Sequence, residues 1–157
     1  MEEYIIVNPT DEQYINEVHK ILSRCGLHMA RQFLFHWLKP YSKASIKNDC
    51  ETITVVLVRD KNTGIFTSTF QMHLDDRGNL YVRKIATSPE FEGRGIGKRN
   101  MQYMESFAKA KGCRKVCLDV YKKSKCAINF YKKAGFVTVG ETKARFFSEY
   151  TMEKNIK

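Results

Sequence analysis

The sequence has few features that would support a disulfide-stabilised, metal-binding or membrane-spanning protein. Its 157 residues contain five cysteines, an odd number without the spacing of a zinc site, and four scattered histidines. The N-terminal segment MEEYIIVNPTDEQ is acidic and has only three consecutive apolar residues, so it predicts neither a signal peptide nor a transmembrane helix. We therefore expect a cytoplasmic protein with reduced cysteines, no metal and no membrane partner.

Length and charge narrow the class of protein further. The length fits one ordinary domain over residues 1–157, and the chain shows no repeats and no low-complexity linker. The net charge is +10, and residues 77–157 hold 19 Lys and Arg against 7 Asp and Glu. This asymmetry predicts an anionic ligand for the C-terminal part of the chain. Because no aromatic platform is interleaved with the basic residues, we expect no nucleic-acid partner.

The N-terminal third reads as a strand followed by helices. Residues 4–7 form a short apolar run, and Thr10 with Gln13 makes a capping box for a helix that Gly26 ends. A second helix over 27–40 stops at Pro40, and residues 41–50 add a short irregular helix.

From residue 52 the apolar period changes to two. Three β-rich runs, 52–60, 64–74 and 79–88, are separated by the hairpin signals DKNTG and DDRGN and predict an antiparallel meander. A helix over 97–111, a strand over 114–121, a helix over 125–134 and a last strand within 145–153 follow. This order of elements predicts a mixed α/β sheet with helices on both faces.

Three glycines at alternate positions, Gly93, Gly95 and Gly97, lie where a helix begins. Each costs about 0.5–1 kcal/mol relative to alanine in regular structure, so a local reason is needed. Unpaired backbone N–H groups at a helix start form an anion nest, and glycine lets a diphosphate approach that backbone. Arg94, Lys98 and Arg99 add positive charge there. We therefore predict a pyrophosphate site at this turn.

Two well-known phosphate loops do not fit this stretch. A Walker A loop requires Gly at 92 and Ser or Thr at 99, where the chain has Glu92 and Arg99. A dinucleotide fingerprint requires Gly at 98, where the chain has Lys98. The stretch therefore matches neither loop, and taken alone it could also be a glycine-rich turn without a ligand.

The stretch from about 80 to 136 resembles the core of the GNAT superfamily of N-acetyltransferases. Members carry Gln/Arg-x-x-Gly-x-Gly/Ala at the start of a helix and, later, Asn-x-x-Ala-x-x-x-Tyr-x-x-x-Gly-Phe. The chain matches these motifs with EGRGIG at 92–97 and SKCAINFYKKAGF at 124–136. Two positions depart from the motifs: Glu92 replaces the usual Gln or Arg, and Ser124 replaces the Asn that hydrogen-bonds the pantetheine arm.

The resemblance implies acetyl-CoA as donor, an amine as acceptor and direct transfer in a ternary complex. It implies a mostly antiparallel GNAT sheet that splays between the strands at 80–87 and 114–121, with a cofactor-binding core at about 80–136. The thioester arm would then lie along the end of the first of these strands, pairing with its backbone. The implied cofactor contacts are Ile85, Ala86, Thr87, Gly93, Arg94, Gly95, Ile96, Gly97, Lys98, Ser124, Ala127 and Tyr131.

The resemblance also implies a catalytic role for Tyr131, whose family counterpart protonates the departing thiolate. No general base is evident, since residues 80–87 contain no acid, and His73, Asp119 and Glu149 stay open as candidates. An acyl-enzyme on Cys126 is disfavoured because the family transfers the acetyl group directly. Trp37, Tyr41, His28 and Arg31 are candidates for the acceptor pocket or, by their helical spacing, for the core.

The acyl chain, the presence of turnover, the acceptor and the oligomeric state stay open. The chain could use a longer acyl-CoA, or it could be a CoA-binding regulatory module without turnover. The acceptor could be a small molecule or a protein or peptide amine. Family relatives are often dimers, so a homodimer is possible.

Overall fold

A computed structural model describes residues 1–37, 41–143 and 146–156 of the chain. A short 3₁₀ helix at Pro89–Phe91 precedes α3. The described strands and helices are, in chain order, β1 (Glu2–Ile6), α1 (Glu12–Arg31), α2 (Lys43–Thr52), β2 (Thr54–Asp60), β3 (Phe66–Leu74), β4 (Leu80–Thr87), α3 (Ile96–Ala110), β5 (Lys115–Tyr121), α4 (Lys125–Lys133), β6 (Val137–Lys143) and β7 (Ser148–Asn155).

The described strands form one seven-stranded sheet with the order β1-β2-β3-β4-β5-β7-β6. Pairing is antiparallel for β1–β2, β2–β3, β5–β7 and β6–β7, and parallel for β4–β5. The predicted fold class, a mixed and mostly antiparallel sheet flanked by helices, is confirmed. The parallel register pairs residues 80–82 with residues 116–118. The splay between these two strands stays a prediction.

Side chains at the first residue of each turn fix the predicted meander. Asp60 Oδ1 accepts hydrogen bonds from the backbone N–H groups of Asn62 and Thr63 at 2.7 and 3.0 Å. Asp75 Oδ1 accepts in the same way from Arg77 and Asn79. Both turns close with a glycine of positive φ, as Asx-type turns commonly do.

Two predictions about the first helix are wrong. Asp11, not Thr10, is the N-cap residue, and Thr10 Oγ1 donates instead to Asn8 Oδ1 at 2.9 Å, so there is no capping box. Gly26 does not end the helix, because α1 continues through it to Arg31. A Cβ at Gly26 would lie 2.4 Å from the carbonyl oxygen of Trp37, so glycine is needed here for close backbone approach.

The other differences lie at element ends and near the C-terminus. Residues 41–50 are predicted as a short irregular helix, and the structure has a regular helix there, α2, whose N-cap Ser42 accepts from Ser45 N–H at 3.1 Å. The sequence pattern predicts a single last strand, which the structure has as β7, and β6 is an additional strand. Pro40, the predicted helix stop, and Arg145 lie outside the described residues.

Contacts divide the chain into two compact units. Unit 1 comprises Met1–Met72 with Lys84–Gly97, and unit 2 comprises His73–Arg83 with Lys98–Lys157. The core of unit 1 joins the apolar face of α1 to β2, with members such as Val18, Ile21 and Leu57 almost fully buried. In unit 2, Met104 of α3, Leu118 of β5 and Met152 of β7 are buried to the same degree. The single-domain assignment for 1–157 stays a prediction.

All five cysteines are free thiols, and three of them are buried. Within the described ranges, no group of His, Cys, Asp and Glu is arranged to hold a metal ion. No described helix is long and apolar enough to cross a membrane.

Candidate active site

The glycine-rich turn of unit 1 has the backbone conformation that the sequence required. Gly93 and Gly95 have φ of +76° and +78°, a region that residues with a Cβ rarely adopt. α3 begins at Ile96, directly after this turn, and its first four N–H groups have no acceptor within the helix. Among the described residues, no atom beyond the two chain neighbours would lie within 4 Å of a Cβ at Gly93, so the space beside this glycine is open. The turn can therefore present backbone donors to an anion.

Charged side chains surround this turn without covering it. The guanidinium of Arg94 lies over the Phe91 ring at 5.3 Å, and both Arg94 and Lys98 are exposed. The carboxylate of Glu92, the residue that departs from the family motif, lies 3.9 Å from Nε2 of His28 on α1. This contact engages the acidic side chain with α1.

A strained residue with a buried ion pair precedes the predicted thioester contacts. Lys84 on β4 has φ of +49°, which is unfavourable for a lysine by about 1–3 kcal/mol. Its Nζ lies 2.8 Å from Oδ2 of Asp49 and 3.6 Å from the centroid of the Tyr41 ring. Gln71 Nε2 donates to the same carboxylate oxygen at 3.1 Å. These contacts fix the conformation of β4 immediately before Ile85.

The end of β4 is packed closely in unit 1. Ala86 belongs to the core, and the carbonyl of Thr87 accepts from the Cys25 thiol at 3.1 Å. Burial, with a smaller effect of Glu92, raises the pKa of Cys25 to about 12, which keeps the thiol protonated as a donor. Ser88 N–H donates to the Thr67 carbonyl at 2.8 Å. The hydroxyls of Ser88 and Thr67 are buried without a hydrogen-bond partner among the described residues.

Tyr131, the predicted catalytic residue, is a buried residue of unit 2. Its ring lies 5.4 Å from that of Phe130 and 5.8 Å from that of Phe136, in edge-to-face geometry. Burial raises the pKa of Tyr131 to about 12, so the phenol stays neutral through the physiological range.

The other predicted contacts of unit 2 lie at the start of α4. Ser124 is the N-cap residue of this helix, but its side chain makes no capping hydrogen bond. Ala127 is half-buried in the first turn of α4, and Cys126 beside it is exposed. The structure thus places Ser124, Ala127, Tyr131 and Lys98 in unit 2, and Ile85 to Thr87 with Gly93 to Gly97 in unit 1.

The three candidates for a general base lie in one cluster of unit 2. The Tyr81 hydroxyl donates to Oδ2 of Asp119, and Thr151 Oγ1 donates to Oδ1 of the same residue at 2.8 Å. The His73 ring stacks near Tyr81 at 5.1 Å. Burial, followed by the charge of Asp119, raises the pKa of Glu149. We name Asp119 and Glu149 the carboxylate pair.

Sequence reasoning missed the residues that support these groups. Tyr81 and Thr151 are found only once β4, β5 and β7 are known to be neighbours, because Asp119 and Thr151 are register partners. The buried Asp49–Lys84 ion pair likewise joins residues far apart in sequence. Trp37 and Tyr41, weighed as acceptor-pocket walls, pack against the core of unit 1, which favours the core assignment.

Comparison with known proteins decides the family. The sequence model of the acetyltransferase (GNAT) family matches residues 15–136 of the chain. The chain belongs to the GNAT family of acetyltransferases. The resemblance to the GNAT superfamily that the two motifs carried is thereby confirmed.

Individual GNAT proteins are similar at the level of sequence or fold. The chain is 32% identical over 102 residues to an uncharacterized N-acetyltransferase of Methanocaldococcus jannaschii, which covers 64% of this chain and 45% of that protein. The chain thus spans less than half the length of that relative. Two solved structures share the fold. The ribosomal-protein-S18-alanine N-acetyltransferase of Escherichia coli has a TM-score of 0.79 at 15% identity, covering 100% of this chain and 95% of that one. The PaiA N-acetyltransferase of Thermoplasma acidophilum, solved with coenzyme A, has a TM-score of 0.77 at 20% identity, covering 99% of each chain.

Proposed function

We propose that this GNAT protein is a cytoplasmic N-acetyltransferase that moves the acetyl group of acetyl-CoA to a primary amine by direct attack in a ternary complex. The observation that carries the proposal is the turn at residues 93–97, with two glycines of positive φ immediately before a helix. Family membership and the coenzyme A complex of the Thermoplasma protein support the same donor.

The donor is held mainly by the backbone in this proposal. The N–H groups at the start of α3 bind the diphosphate, and glycine at 93 and 95 leaves room for its oxygens. Coenzyme A carries about four negative charges, which the basic C-terminal part of the chain attracts. The backbone of Ile85 and Thr87 pairs with the thioester arm, and one N–H group there stabilises the oxyanion. Ser124 and Ala127 contact the pantetheine arm.

Tyr131 assists the departure of the thiolate. Because its pKa is raised to about 12, complete proton transfer to a thiolate with a conjugate pKa of about 8.5 is uphill by about 5 kcal/mol. A neutral phenol can still donate a hydrogen bond to the sulfur as charge develops. We therefore assign Tyr131 as a hydrogen-bond donor to the leaving group, with the proton completing its transfer through water.

The carboxylate pair removes the proton of the acceptor. An alkylamine with a pKa near 10.4 is almost wholly protonated at pH 7, and freeing its lone pair costs about 4–5 kcal/mol. Glu149 suits this task because its raised pKa makes it a stronger base than an exposed glutamate. Tyr81 and Thr151 hold the Asp119 carboxylate beside it by their hydrogen bonds.

Release of thiol from acetyl-CoA in the presence of a mixed amine panel tests this function. We expect release that depends on both the amine and the protein, with mass spectrometry finding an acetamide product. A regulatory module would gain thermal stability from coenzyme A but release no thiol. A transferase for longer chains would prefer butanoyl-CoA or longer donors to acetyl-CoA. Analytical ultracentrifugation in the same buffer shows whether the protein is a homodimer.

A further inference from the structure

A cavity of about 640 Å³ lies in unit 2, where β5 ends and β7 begins; its lining includes Tyr121, the register partner of Glu149, and Ser148, the chain neighbour of Glu149. Its described lining combines three lysines with a tyrosine, a phenylalanine and a serine, and it includes no acidic residue. The residues are Tyr121, Lys122, Lys123, Lys125, Phe146 and Ser148. We name this space the lysine cavity.

Contacts within unit 2 define the walls of the lysine cavity. Lys122 N–H donates to the Ser148 carbonyl at 2.9 Å, which joins the segment after β5 to the start of β7. The ring of Tyr121 meets that of Phe147 edge to face at 5.4 Å. The ammonium of Lys122 is held by Glu141 at 2.9 Å, which fixes the side chain and neutralises its charge.

The other two lysines leave positive charge at the cavity. Across the described part of the chain, neither Lys123 nor Lys125 lies within ion-pair distance of an acid. Lys125 is also the first residue of α4, where the helix dipole repels a cation and favours an anion. An anionic group in the cavity would relieve both effects, and the aromatic walls suit an apolar stem next to it.

The cavity lies a short distance from the proposed base. Tyr121 and Glu149 are register partners, and Asp119 is two residues before Tyr121 on the same face of β5. Two residues along a strand span about 7 Å. A ligand of dipeptide size could therefore place an amine at the carboxylate pair and an anion at the lysines.

We propose that the lysine cavity selects an acceptor that carries a carboxylate close to the amine it presents, such as an amino acid or an acidic short peptide. This inference rests on the proposed function and specifies its substrate class. The two sites divide the acceptor by charge: acids receive the amine, and lysines receive the carboxylate. The net charge of the whole chain does not predict this arrangement, because it depends on the local separation of the two signs.

The test compares two acceptors of similar shape: glycyl-glutamate, which carries two carboxylates, and glycyl-glutamine amide, in which neutral amides replace both. We expect wild-type protein to use glycyl-glutamate with a kcat/KM at least tenfold higher, mainly through KM, since each charged contact strengthens binding by about that factor. Lys123→Gln with Lys125→Gln removes this preference. The matched double variant Lys132→Gln with Lys133→Gln removes the same charge from the exposed last turn of α4 and keeps the preference.

A second measurement does not depend on turnover. In protein saturated with coenzyme A, glycyl-glutamate should shift the backbone NMR signals of Lys122 to Lys125 and Phe146, and glycyl-glutamine amide should not. Equal use of the two acceptors, or a preference that survives loss of both lysines, overturns the inference. It is also overturned if the lysine variant loses affinity for coenzyme A instead, since the cavity would then serve the donor. If no amine in the panel releases thiol, the proposed function fails, while the NMR titration still decides whether the cavity binds a carboxylate.

Discussion

At the scale of single residues, the proposed donor site at β4 and residues 93–97 and the proposed base both depend on contacts between residues far apart in sequence. A motif search does not include such contacts. Lys84 holds a left-handed backbone conformation inside β4 because its ammonium is buried against Asp49 and the Tyr41 ring. The side chains of Lys84 and Asp49 are only 8% and 9% exposed, so neither charge is well solvated. A buried pair of this kind is costly to break, because the remaining charge has little water to replace its partner.

Loss of one partner tests the buried ion pair. We expect Asp49→Asn to lower the free energy of unfolding by about 3–5 kcal/mol, because it removes the carboxylate that lies 2.8 Å from the buried Lys84 ammonium. The control is Glu3→Gln, which breaks the more exposed ion pair with Arg59 and should cost about 0–1 kcal/mol. Urea unfolding followed by circular dichroism measures both. Equal costs for the two variants would mean that the buried pair has no special role in stability.

Tyr131→Phe tests the leaving-group role at the same scale. We expect kcat to fall about 10²-fold while the affinity for acetyl-CoA stays within about twofold, because only the hydroxyl that donates to the thiolate is removed. The ring contacts with Phe130 and Phe136 need no hydroxyl, so folding should be kept. Steady-state kinetics and calorimetry separate the two effects. An unchanged kcat with the best acceptor removes this assignment.

Glu149→Gln tests the base. A group that must be ionised to accept a proton loses activity as the pH falls through its pKa, and the raised pKa of Glu149 moves this loss to a higher pH than for an ordinary glutamate. We expect the variant to lower kcat/KM by about 10²-fold or more and to abolish that acid limb. The matched control is Glu153→Gln, on the same strand and bonded to Lys115. A variant with the wild-type pH profile would refute the base assignment.

At the scale of elements, the sequence predicted the helices, strands and turns that local interactions determine. It failed for elements whose bounds or existence depend on contacts with distant residues. The meander was predictable because Asp60 and Asp75 set their own turns through bonds to nearby N–H groups. The prediction that Gly26 ends the first helix is wrong. A glycine is needed there because the backbone of Trp37, eleven residues later, leaves no room for a Cβ. β6 was missed because all of its residues are exposed, so its strand conformation depends on pairing with β7 rather than on an apolar face.

Gly26→Ala tests the explanation of the long first helix. Alanine favours a helix by about 1 kcal/mol over glycine, but the new Cβ would lie 2.4 Å from a backbone oxygen that cannot rotate away. We expect the clash to dominate and to lower the free energy of unfolding by about 1–3 kcal/mol. The control is Gly140→Ala on β6, where a Cβ meets open space and stability should hold or rise slightly. Equal melting temperatures for the two variants would contradict this explanation.

At the scale of the whole molecule, the sequence predicted the family and the proposed acetyl-CoA donor but only part of the proposed acceptor site. The two motifs at 92–97 and 124–136 are contiguous, so they can be read without knowing the fold. The cluster around Asp119 and the lysine cavity cannot be predicted without knowing the fold, because both combine residues of β5 and β7. Their arrangement depends on the register of these strands, which no local sequence signal encodes. The charge asymmetry of the chain predicted an anionic ligand. It did not predict that the carboxylate pair and the lysine cavity would lie near each other.

Calorimetric titration of coenzyme A into three proteins tests whether the backbone of the turn at residues 93–97 binds the diphosphate. Gly93 and Gly64 have nearly the same φ, +76° and +73°, and a Cβ at either meets nothing within 4 Å. Alanine should therefore strain both backbones to a similar degree, by about 1–2 kcal/mol. We expect wild-type and Gly64→Ala proteins to bind coenzyme A with the same affinity, and Gly93→Ala to bind it at least tenfold more weakly. Equal affinity for all three proteins, or no heat of binding with the wild type, would contradict it.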